Sequence, residues 1–339
     1  MRELGIGIVG VGYWGMNYVR VFSELAGSRV AVVCDRREER LLEASQRFPE
    51  VAVCSSVDEL LNLSQVDAVV VCTEASSHYA MVSRALESGR HVLVEKPMTT
   101  TVPDGERLLE LAAKRNLKLM VGHTFLYNAG IRKVKSLLSG GEAGRVYYMY
   151  SRRTNLGPIR RDVNALWDLA PHDVSIFNYL MDGAPEWVSA VGAKPLGDGH
   201  EAFGFLALGY PNGVVGQAHV SWADPHKVRE VVVVGSDKRI VFNDLDSEGP
   251  VRVFEKGVKP VEPSVTGYGE HQLLMRDGDI IIPKLDVSEP LKNQCQHFLD
   301  SVYDGCQPLT DGRNGLDVVR VMTAVDRSIA GRGAPIAVA

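Results

Sequence analysis

The segment LGIGIVGVGYWG at residues 4–15 sets the architecture of the first part of the chain. A short apolar run at 4–10 ends in glycine, and a helical pattern follows at 15–25. Between them lies G-x-G-x-x-G, which is weak evidence alone but gains weight from its place after a strand and before a helix. In such a unit the first glycine allows a tight turn, the second lets a pyrophosphate approach the backbone, and the third lets helix and strand pack closely. The helix N-terminus then faces the phosphate charge.

We therefore predict that this loop binds a dinucleotide through Gly10, Gly12, Tyr13, Trp14 and Gly15. Asp35 ends the second predicted strand, 20 residues after the last glycine of the motif, at the spacing where an acidic side chain meets the adenosine ribose. Its carboxylate would repel a 2′-phosphate, so the sequence favours NAD over NADP. Arg36 and Arg37 leave NADP open, because a guanidinium could accept that phosphate; Arg36 could equally stack on the adenine.

Strands and helices alternate as far as residue 122. Further strands are predicted at 29–34, 51–54, 66–72, 91–95 and 118–122, and helices at 38–48, 57–62, 77–88 and 103–116. Ser56 and Glu59 form an S-x-x-E pattern, which predicts a capping box at the start of the short helix. This alternation predicts an α/β fold with a doubly wound parallel sheet.

The pattern changes near residue 123, where we place the boundary between a dinucleotide-binding domain (1–123) and a second domain (124–339). Helices are predicted at 129–138, 168–181, 289–303 and 315–330, and strands at 146–151, 187–192, 202–210, 214–222, 228–235, 239–243 and 251–256. Successive strands with short turns at 211–213 and 236–238 indicate an antiparallel sheet. We expect irregular chain at 152–162, a loop at 268–283, and a last helix that packs back on the first domain.

Composition excludes several classes of protein. The 339 residues carry 37 Lys and Arg against 42 Asp and Glu, a net charge of −5, which argues against a nucleic-acid partner. No apolar run is long enough to span a membrane, and the start lacks a signal-peptide pattern. Five cysteines without a C-x-x-C pair, and no metal-ligand spacing, predict no zinc site and favour a reducing cytoplasm.

Oxidation of an alcohol needs a hydride acceptor and a base, and three residues are candidates for the catalytic groups of such a reaction. Lys96 follows the carboxyl end of a parallel strand, the edge where doubly wound sheets bind ligands. Asp168 and His172 are four residues apart, so they share a face if that segment is helical. Pro171 lies between them, and a proline is tolerated there only within the first helical turn. We predict His172 as general base, Lys96 as hydrogen-bond donor to the reacting oxygen, and Asp168 as an orienting or binding group.

Other readings of these residues remain open. The roles of Lys96 and His172 could be exchanged. Without further context, His172 could be a helix-start histidine satisfied by Asp168, and Lys96 a surface lysine. His78 and His123 also follow strand ends at the same edge, and we interpret them as cofactor-shell or structural groups.

Several motifs in order resemble one enzyme family: the glycine loop, Glu95-Lys96-Pro97, WDLAPHD at 167–173, VGHTFLYN at 121–128 and PLTDG at 308–312. The chain resembles the glucose–fructose oxidoreductase/inositol dehydrogenase (Gfo/Idh/MocA) family over nearly its whole length. The resemblance implies a Rossmann domain, a C-terminal α/β domain with an open, mainly antiparallel sheet, and a nicotinamide cofactor. It also implies oxidation or reduction of a ring hydroxyl or keto group of a sugar or cyclitol, in a homodimer or homotetramer. The cofactor residues it implies include Thr73, His78, Glu95, Lys96 and Pro97, although the family often has Thr-Pro where this chain has Thr73-Glu74.

Four arginines, at 152, 153, 160 and 161, precede the predicted catalytic helix of this acidic chain, and guanidinium pairs well with phosphate oxygens. The sequence around them resembles the branch of the family that oxidises the 3-hydroxyl of nucleotide sugars such as UDP-N-acetylglucosamine. That resemblance implies that Asn155, Arg160 and Asn164 line the sugar or diphosphate site, with Tyr127 near the nicotinamide. The alternatives are a solvated basic loop or subunit contact, a dehydrogenase of a free sugar or inositol, and a cofactor-binding regulatory protein without turnover.

Overall fold

The computed structural model describes residues 2–157, 159–160, 162–197, 199–260, 273–286 and 288–339. The chain divides into two compact units: Met1–Tyr127 with Ser288–Thr323, and Asn128–Val287 with Ala324–Ala339. The sequence placed the boundary at residue 123 and returned only the last helix to the first domain. In the structure the first unit takes the whole of the preceding helix, whereas the last helix is divided: its residues up to Thr323 belong to the first unit and those from Ala324 to the second.

The helices are amphipathic segments whose ends largely match the sequence patterns. Within the described residues they are α1 (Tyr13–Glu24), α2 (Glu38–Arg47), α3 (Val57–Asn62), α4 (His78–Glu87), α5 (Val102–Arg115), α6 (Ala129–Ser139), α7 (Ala165–Met181), α8 (Pro290–Tyr303) and α9 (Gly312–Ala330). The Thr101 side chain caps α5, and the Asn164 side chain caps α7 by accepting the N–H of Trp167 at 2.9 Å. The capping box at α3 is wrong, because the Ser56 side chain makes no capping hydrogen bond there.

The first unit contains a six-stranded parallel sheet. Its strands are β1 (Leu4–Val9), β2 (Ser28–Cys34), β3 (Ala52–Cys54), β4 (Ala68–Val71), β5 (His91–Val94) and β6 (Leu119–Val121). The spatial order is β3-β2-β1-β4-β5-β6, so the direction of winding reverses between β1 and β4. This order confirms the doubly wound Rossmann fold, in which ligands bind at the carboxyl ends of the strands near that reversal.

The second unit contains a nine-stranded, mainly antiparallel sheet. Its strands, in chain order, are β7 (Val146–Leu156), β8 (Trp187–Ala193), β9 (Phe203–Gly209), β10 (Val215–Ser221), β11 (Ala223–Gly235), β12 (Arg239–Asn243), β13 (Val251–Phe254), β16 (Ile280–Ile281) and β17 (Ile336–Ala337), while β14 (Gly257–Pro260) and β15 (Leu273–Arg276) form a separate pair. Central strands β7 and β10 run parallel, and the other neighbouring pairs are antiparallel. The antiparallel hairpins at 211–213 and 236–238 are confirmed.

Three local expectations for the second unit are wrong. Strand β7 continues to Leu156, so residues 152–156 are not irregular. The stretch predicted as a loop includes β15 and β16, while its residues 268–272 lie outside the described part. Pro171 is the seventh residue of α7, beyond the first turn to which a proline was expected to be confined.

The two faces of this sheet differ. Met149, Gly216 and Leu206 lie on the face that packs against helices, and they are buried. Tyr148 and Phe205 alternate with them and are 46% and 42% exposed. Among the described residues, no helix is both long and apolar enough to cross a membrane.

Candidate active site

The glycine loop has the backbone geometry that its sequence predicts. Gly10 has φ +87°, in the region that favours glycine. A Cβ added at Gly15 would lie 2.0 Å from the carbonyl oxygen of Gly10, so only glycine allows α1 to start this close to β1. At Gly12 an added Cβ would meet only the tip of the Arg37 side chain, 4.0 Å away among the described residues, which leaves that backbone open to a ligand. The loop therefore fits a bound dinucleotide, with Tyr13 and Trp14 exposed in the first turn of α1.

Asp35 lies beside this loop, with both carboxylate oxygens engaged. Its Oδ2 accepts the N–H of Val11 at 3.0 Å, and its Oδ1 accepts the backbone N–H and Nε of Arg37 at 3.0 and 3.2 Å. Burial alone would raise the pKa of Asp35, but the hydrogen bonds from Arg37 and Val11 outweigh it and lower the pKa. Asp35 is thus held as an anion, and its partner is Arg37 rather than Arg36.

The two loops that follow β4 and β5 are tied together by a histidine. The His78 ring is 1% exposed, with Nδ1 2.7 Å from the carbonyl oxygen of Pro97 and Nε2 3.1 Å from that of Thr73. The hydroxyl of Thr73 also accepts a hydrogen bond from Ser77 at 2.7 Å. His78 therefore links the backbone of two predicted cofactor loops, and Lys96-Pro97 is a cis peptide.

Lys96 is buried immediately after β5, at the carboxyl edge of the sheet. His123, after the neighbouring β6, is 1% exposed, and neither ring nitrogen has a hydrogen-bond partner among the described residues. Burial, and then the nearby charge of Lys96, lower the pKa of His123 to about 3. His123 is therefore a neutral imidazole beside the lysine.

Glu95 is part of a buried polar chain that the sequence reasoning missed. Its Oε1 accepts the Tyr18 hydroxyl at 2.7 Å, and that hydroxyl accepts the Gln294 side-chain amide at 2.8 Å. A glutamine on the apolar face of α8, beside Leu291 and Phe298, was the available signal. Tyr127 is also fully buried in the first unit, where its hydroxyl lies 3.2 Å from Thr310 Oγ1.

In the second unit, Asp168 and His172 lie on α7 and share a face, as their spacing predicted. Asp168 is half-buried, and its two oxygens accept hydrogen bonds of 3.1 Å from Arg160 Nη1 and from Trp222 Nε1. These two donors fix the orientation of the carboxylate at the start of the helix.

The arginines do not form one cluster. Arg153 is buried and bonded at two points to Asp173, and Arg160 is bonded to Asp162 as well as to Asp168. Arg152 is exposed on the opposite face of β7 from Arg153, and Arg161 lies outside the described residues. A shared role of all four in binding a diphosphate is therefore not supported.

The two predicted asparagines of the sugar site also belong to the second unit. Asn164 caps α7 through its oxygen and donates its amide N–H to Glu201 at 2.8 Å. Asn155 lies near the end of β7 and is half-buried. Among the described residues, no group of His, Cys, Asp and Glu could hold a metal ion.

A doubly wound sheet, a glycine loop at the start of α1 and an acidic residue directly after β2 define an NAD-binding Rossmann unit. Comparison with protein families agrees. Residues 4–123 match an oxidoreductase family with an NAD-binding Rossmann fold, and residues 131–241 match the C-terminal domain of the same group. The chain belongs to the Gfo/Idh/MocA oxidoreductase family.

Curated relatives differ in their activities. UDP-N-acetylglucosamine 3-dehydrogenase of Acidithiobacillus ferrooxidans is 26% identical over 320 residues, which cover 94% of this chain and 95% of that protein. Inositol 2-dehydrogenase of Gluconacetobacter diazotrophicus is 30% identical over 192 residues, and that match spans only 55% of this chain and 56% of the relative. Among solved structures, the WlbA dehydrogenase from Bordetella pertussis in complex with NADH and UDP-GlcNAcA has a TM-score of 0.81 at 22% identity, covering 100% of this chain and 99% of that one. That likeness establishes the fold.

Proposed function

We propose that this protein is an NAD-dependent sugar dehydrogenase that transfers a hydride between the nicotinamide and a ring hydroxyl, at C3 of a nucleotide sugar such as UDP-N-acetylglucosamine. The observation that carries the proposal is the arrangement on α7, where His172 lies one turn after a carboxylate fixed by Arg160 and Trp222. Oxidation of an alcohol needs a base for the hydroxyl proton, and a histidine one turn from a fixed carboxylate can serve as that base.

In the proposed mechanism the bound nicotinamide supplies the hydride acceptor. His172 removes the hydroxyl proton, because an imidazole ordinarily titrates near about pH 6.5 and exchanges protons readily at neutral pH. Lys96 donates a hydrogen bond to the reacting oxygen and stabilises negative charge that develops on it. Asp168 orients the sugar or the imidazole. Lys96 and His172 exchange roles if the pH dependence of the rate follows the lysine.

The relation to a nucleotide-sugar enzyme supports the choice of substrate, because the similarity extends over almost the entire length of both chains. We assign Asn155, Arg160 and Asn164 to the sugar or diphosphate, Tyr127 to the neighbourhood of the nicotinamide, and the loops at Thr73, His78 and Glu95-Pro97 to cofactor binding. Asp35 favours NAD over NADP.

The pairing of Arg153 with Asp173 favours a second candidate, a dehydrogenase of a free sugar or inositol. With that guanidinium used inside the protein, less positive charge remains for a diphosphate. The partial match to an inositol dehydrogenase points the same way.

Purified protein incubated with NAD and a panel of sugars tests these alternatives. Absorbance of the reduced cofactor is expected to rise with UDP-N-acetylglucosamine. Turnover of inositol or a free sugar alone would favour the second candidate. NAD binding without turnover of any sugar in the panel would favour a regulatory protein, a reading that the presence of Lys96, Asp168 and His172 disfavours.

We also propose a cytoplasmic homodimer or homotetramer that associates through the exposed face of the nine-stranded sheet. Tyr148, Val191, Phe205 and Val215 are large apolar side chains on that face, between 37% and 49% exposed. Exposed apolar patches of this kind mark association surfaces. A Phe205→Glu variant should elute as a smaller species in gel filtration with light scattering.

A further inference from the structure

A chain of buried polar side chains leads from α8 to the residue before Lys96. Thr124 Oγ1 donates to Gln294 Oε1 at 2.8 Å, and Gln294 Nε2 donates to the Tyr18 hydroxyl at 2.8 Å. Tyr18 donates to Glu95 Oε1 at 2.7 Å, and Glu95 Oε2 accepts the backbone N–H of Lys96 at 3.2 Å. The chain therefore ends on the amide of the lysine itself.

The direction of these hydrogen bonds is determined by chemistry. Because Thr124 donates to the oxygen of Gln294, the amide nitrogen faces Tyr18, and the single hydroxyl proton of Tyr18 is left for Glu95. The carboxylate thus receives a proton from each side and is held as an anion. Burial, and then the charge of Glu95, raise the pKa of Tyr18 well above its ordinary value, so the phenol remains a donor.

The surroundings leave the carboxylate little freedom. Tyr18 and Gln294 are fully buried, and Glu95 is 8% exposed. A Cβ added at Gly122 would lie 3.0 Å from Glu95 Oε1 and 3.3 Å from the Tyr18 hydroxyl. A buried carboxylate is costly unless its partners are complete. Apolar side chains on α1 and α8 would fill this space at lower cost, which indicates a role beyond packing.

We propose that Tyr18 and Gln294 are positioning residues: they hold Glu95 as an ionised carboxylate that fixes the backbone at Lys96 and so places the lysine ammonium for the reaction. This inference rests on the proposed function, in which Lys96 meets the reacting oxygen. Tyr18 and Gln294 touch neither substrate nor cofactor in this assignment.

The test compares two phenol-to-phenyl substitutions. Tyr18→Phe removes the donor to Glu95, while Tyr210→Phe removes an equally buried hydroxyl that donates to Asn178 at 2.8 Å in the second unit. For Tyr18→Phe we expect kcat to fall about 10-fold or more, since one hydrogen bond to a charged group is lost, with KM changed less than about 2-fold. Tyr210→Phe should leave both constants unchanged.

The pH profile adds a readout that a packing defect would not move. Tyr18→Phe withdraws a hydrogen bond that the ionised carboxylate of Glu95 accepts, so the acid limb of kcat is expected to shift upward in pH. Unchanged kcat and an unshifted acid limb in a folded Tyr18→Phe enzyme would overturn the proposal. Gln294→Leu, which removes the preceding link, should show the same shift in weaker form, and no shift would count against the chain.

A substrate-free measurement separates this inference from the proposed function. Hydrogen exchange of the peptide around Lys96, followed by mass spectrometry, should be faster in Tyr18→Phe than in wild type and unchanged in Tyr210→Phe. Equal exchange in all three proteins would overturn the positioning role. Absence of turnover with any sugar, together with faster exchange in Tyr18→Phe, would contradict the proposed function while supporting the link between Tyr18 and the Lys96 backbone.

Discussion

Arg153 on β7 and Asp173 on α7 form a buried, two-point ion pair, with N···O distances of 2.8 and 3.1 Å and side chains 6% and 1% exposed. This pair joins the central strand of the large sheet to the helix that carries Asp168 and His172. Arg153, one of the four arginines that suggested phosphate binding, is therefore a structural group.

We predict that Arg153→Met destabilises the protein by about 3–5 kcal/mol, because it leaves the Asp173 carboxylate buried without its partner. Urea unfolding measures the loss. Replacing exposed Arg252, which pairs with Asp246 at the surface, by Met should cost far less, because water screens that pair. If the double variant Arg153→Met/Asp173→Leu is no more stable than Arg153→Met, the buried charge is not the cause.

His172→Ala should reduce kcat roughly 10²-fold or more if the imidazole is the general base. The exposed His226 of the same unit provides a matched control, since His226→Ala leaves the backbone hydrogen bonds of that residue in place. Initial rates of cofactor reduction at saturating substrate measure the effect. A rate equal to that of wild type would exclude His172 as the base.

Arg160→Gln separates the two substrate classes. For a nucleotide sugar, loss of the guanidinium should raise KM about 10-fold, because a charge-assisted hydrogen bond to phosphate is lost. A free sugar has no diphosphate for Arg160 to bind. For that substrate Arg160→Gln should change KM only through the looser orientation of Asp168. Steady-state kinetics with both substrates measure the difference, and Arg252→Gln is the control. Equal changes in KM for both substrates would show that Arg160 does not bind the diphosphate.

Cofactor preference should depend on Asp35 and Arg37. Asp35→Ala removes an anion that would meet ribose hydroxyls and frees Arg37 to accept a 2′-phosphate, so the ratio of NADH to NADPH affinity should fall about 10-fold or more. Fluorescence titration with each reduced cofactor measures the ratio. Substitution of exposed Asp58 by Ala in the same unit should leave it unchanged. An unchanged ratio of NADH to NADPH affinity in Asp35→Ala would mean that Asp35 does not contact the ribose.

The parallel sheet was predictable because its buried strands are continuous apolar runs bounded by turns. Strand β7 was cut short in the prediction because Arg152 and Arg153 interrupt the apolar pattern. Tertiary pairing extends it: Arg152 lies opposite His219 of β10 and Glu230 of β11. The period-2 alternation then puts Arg153 on the covered face, which sequence reasoning missed when it ended the strand at residue 151.

The motif residues of the site were identifiable one by one, but their partners were not. Arg36 and Arg37 are equivalent in the sequence, and only the direction of the side chains makes Arg37 the partner of Asp35. Tyr18 and Gln294 are 276 positions apart, so no local pattern relates them. The identity of each group follows from local chemistry, whereas its partner depends on the three-dimensional packing of distant segments.

The stability of the protein should fall below neutral pH because of His123. The folded state lowers the pKa of this imidazole to about 3, while the unfolded chain titrates near about 6.5. Between these values the unfolded state binds one more proton than the folded state. The stability that this group contributes is therefore complete above about pH 6.5. It declines, by up to about 1.4 kcal/mol per pH unit, as the pH falls toward 3.

His123→Leu should therefore show a smaller decrease in the free energy of unfolding between about pH 7 and 5 than wild type, measured by urea titration at each pH. His226→Ala should retain the slope of wild type because that ring is exposed. Identical slopes for wild type and His123→Leu would show that His123 takes up its proton in the folded state, and that Lys96 does not have a neutral imidazole beside it.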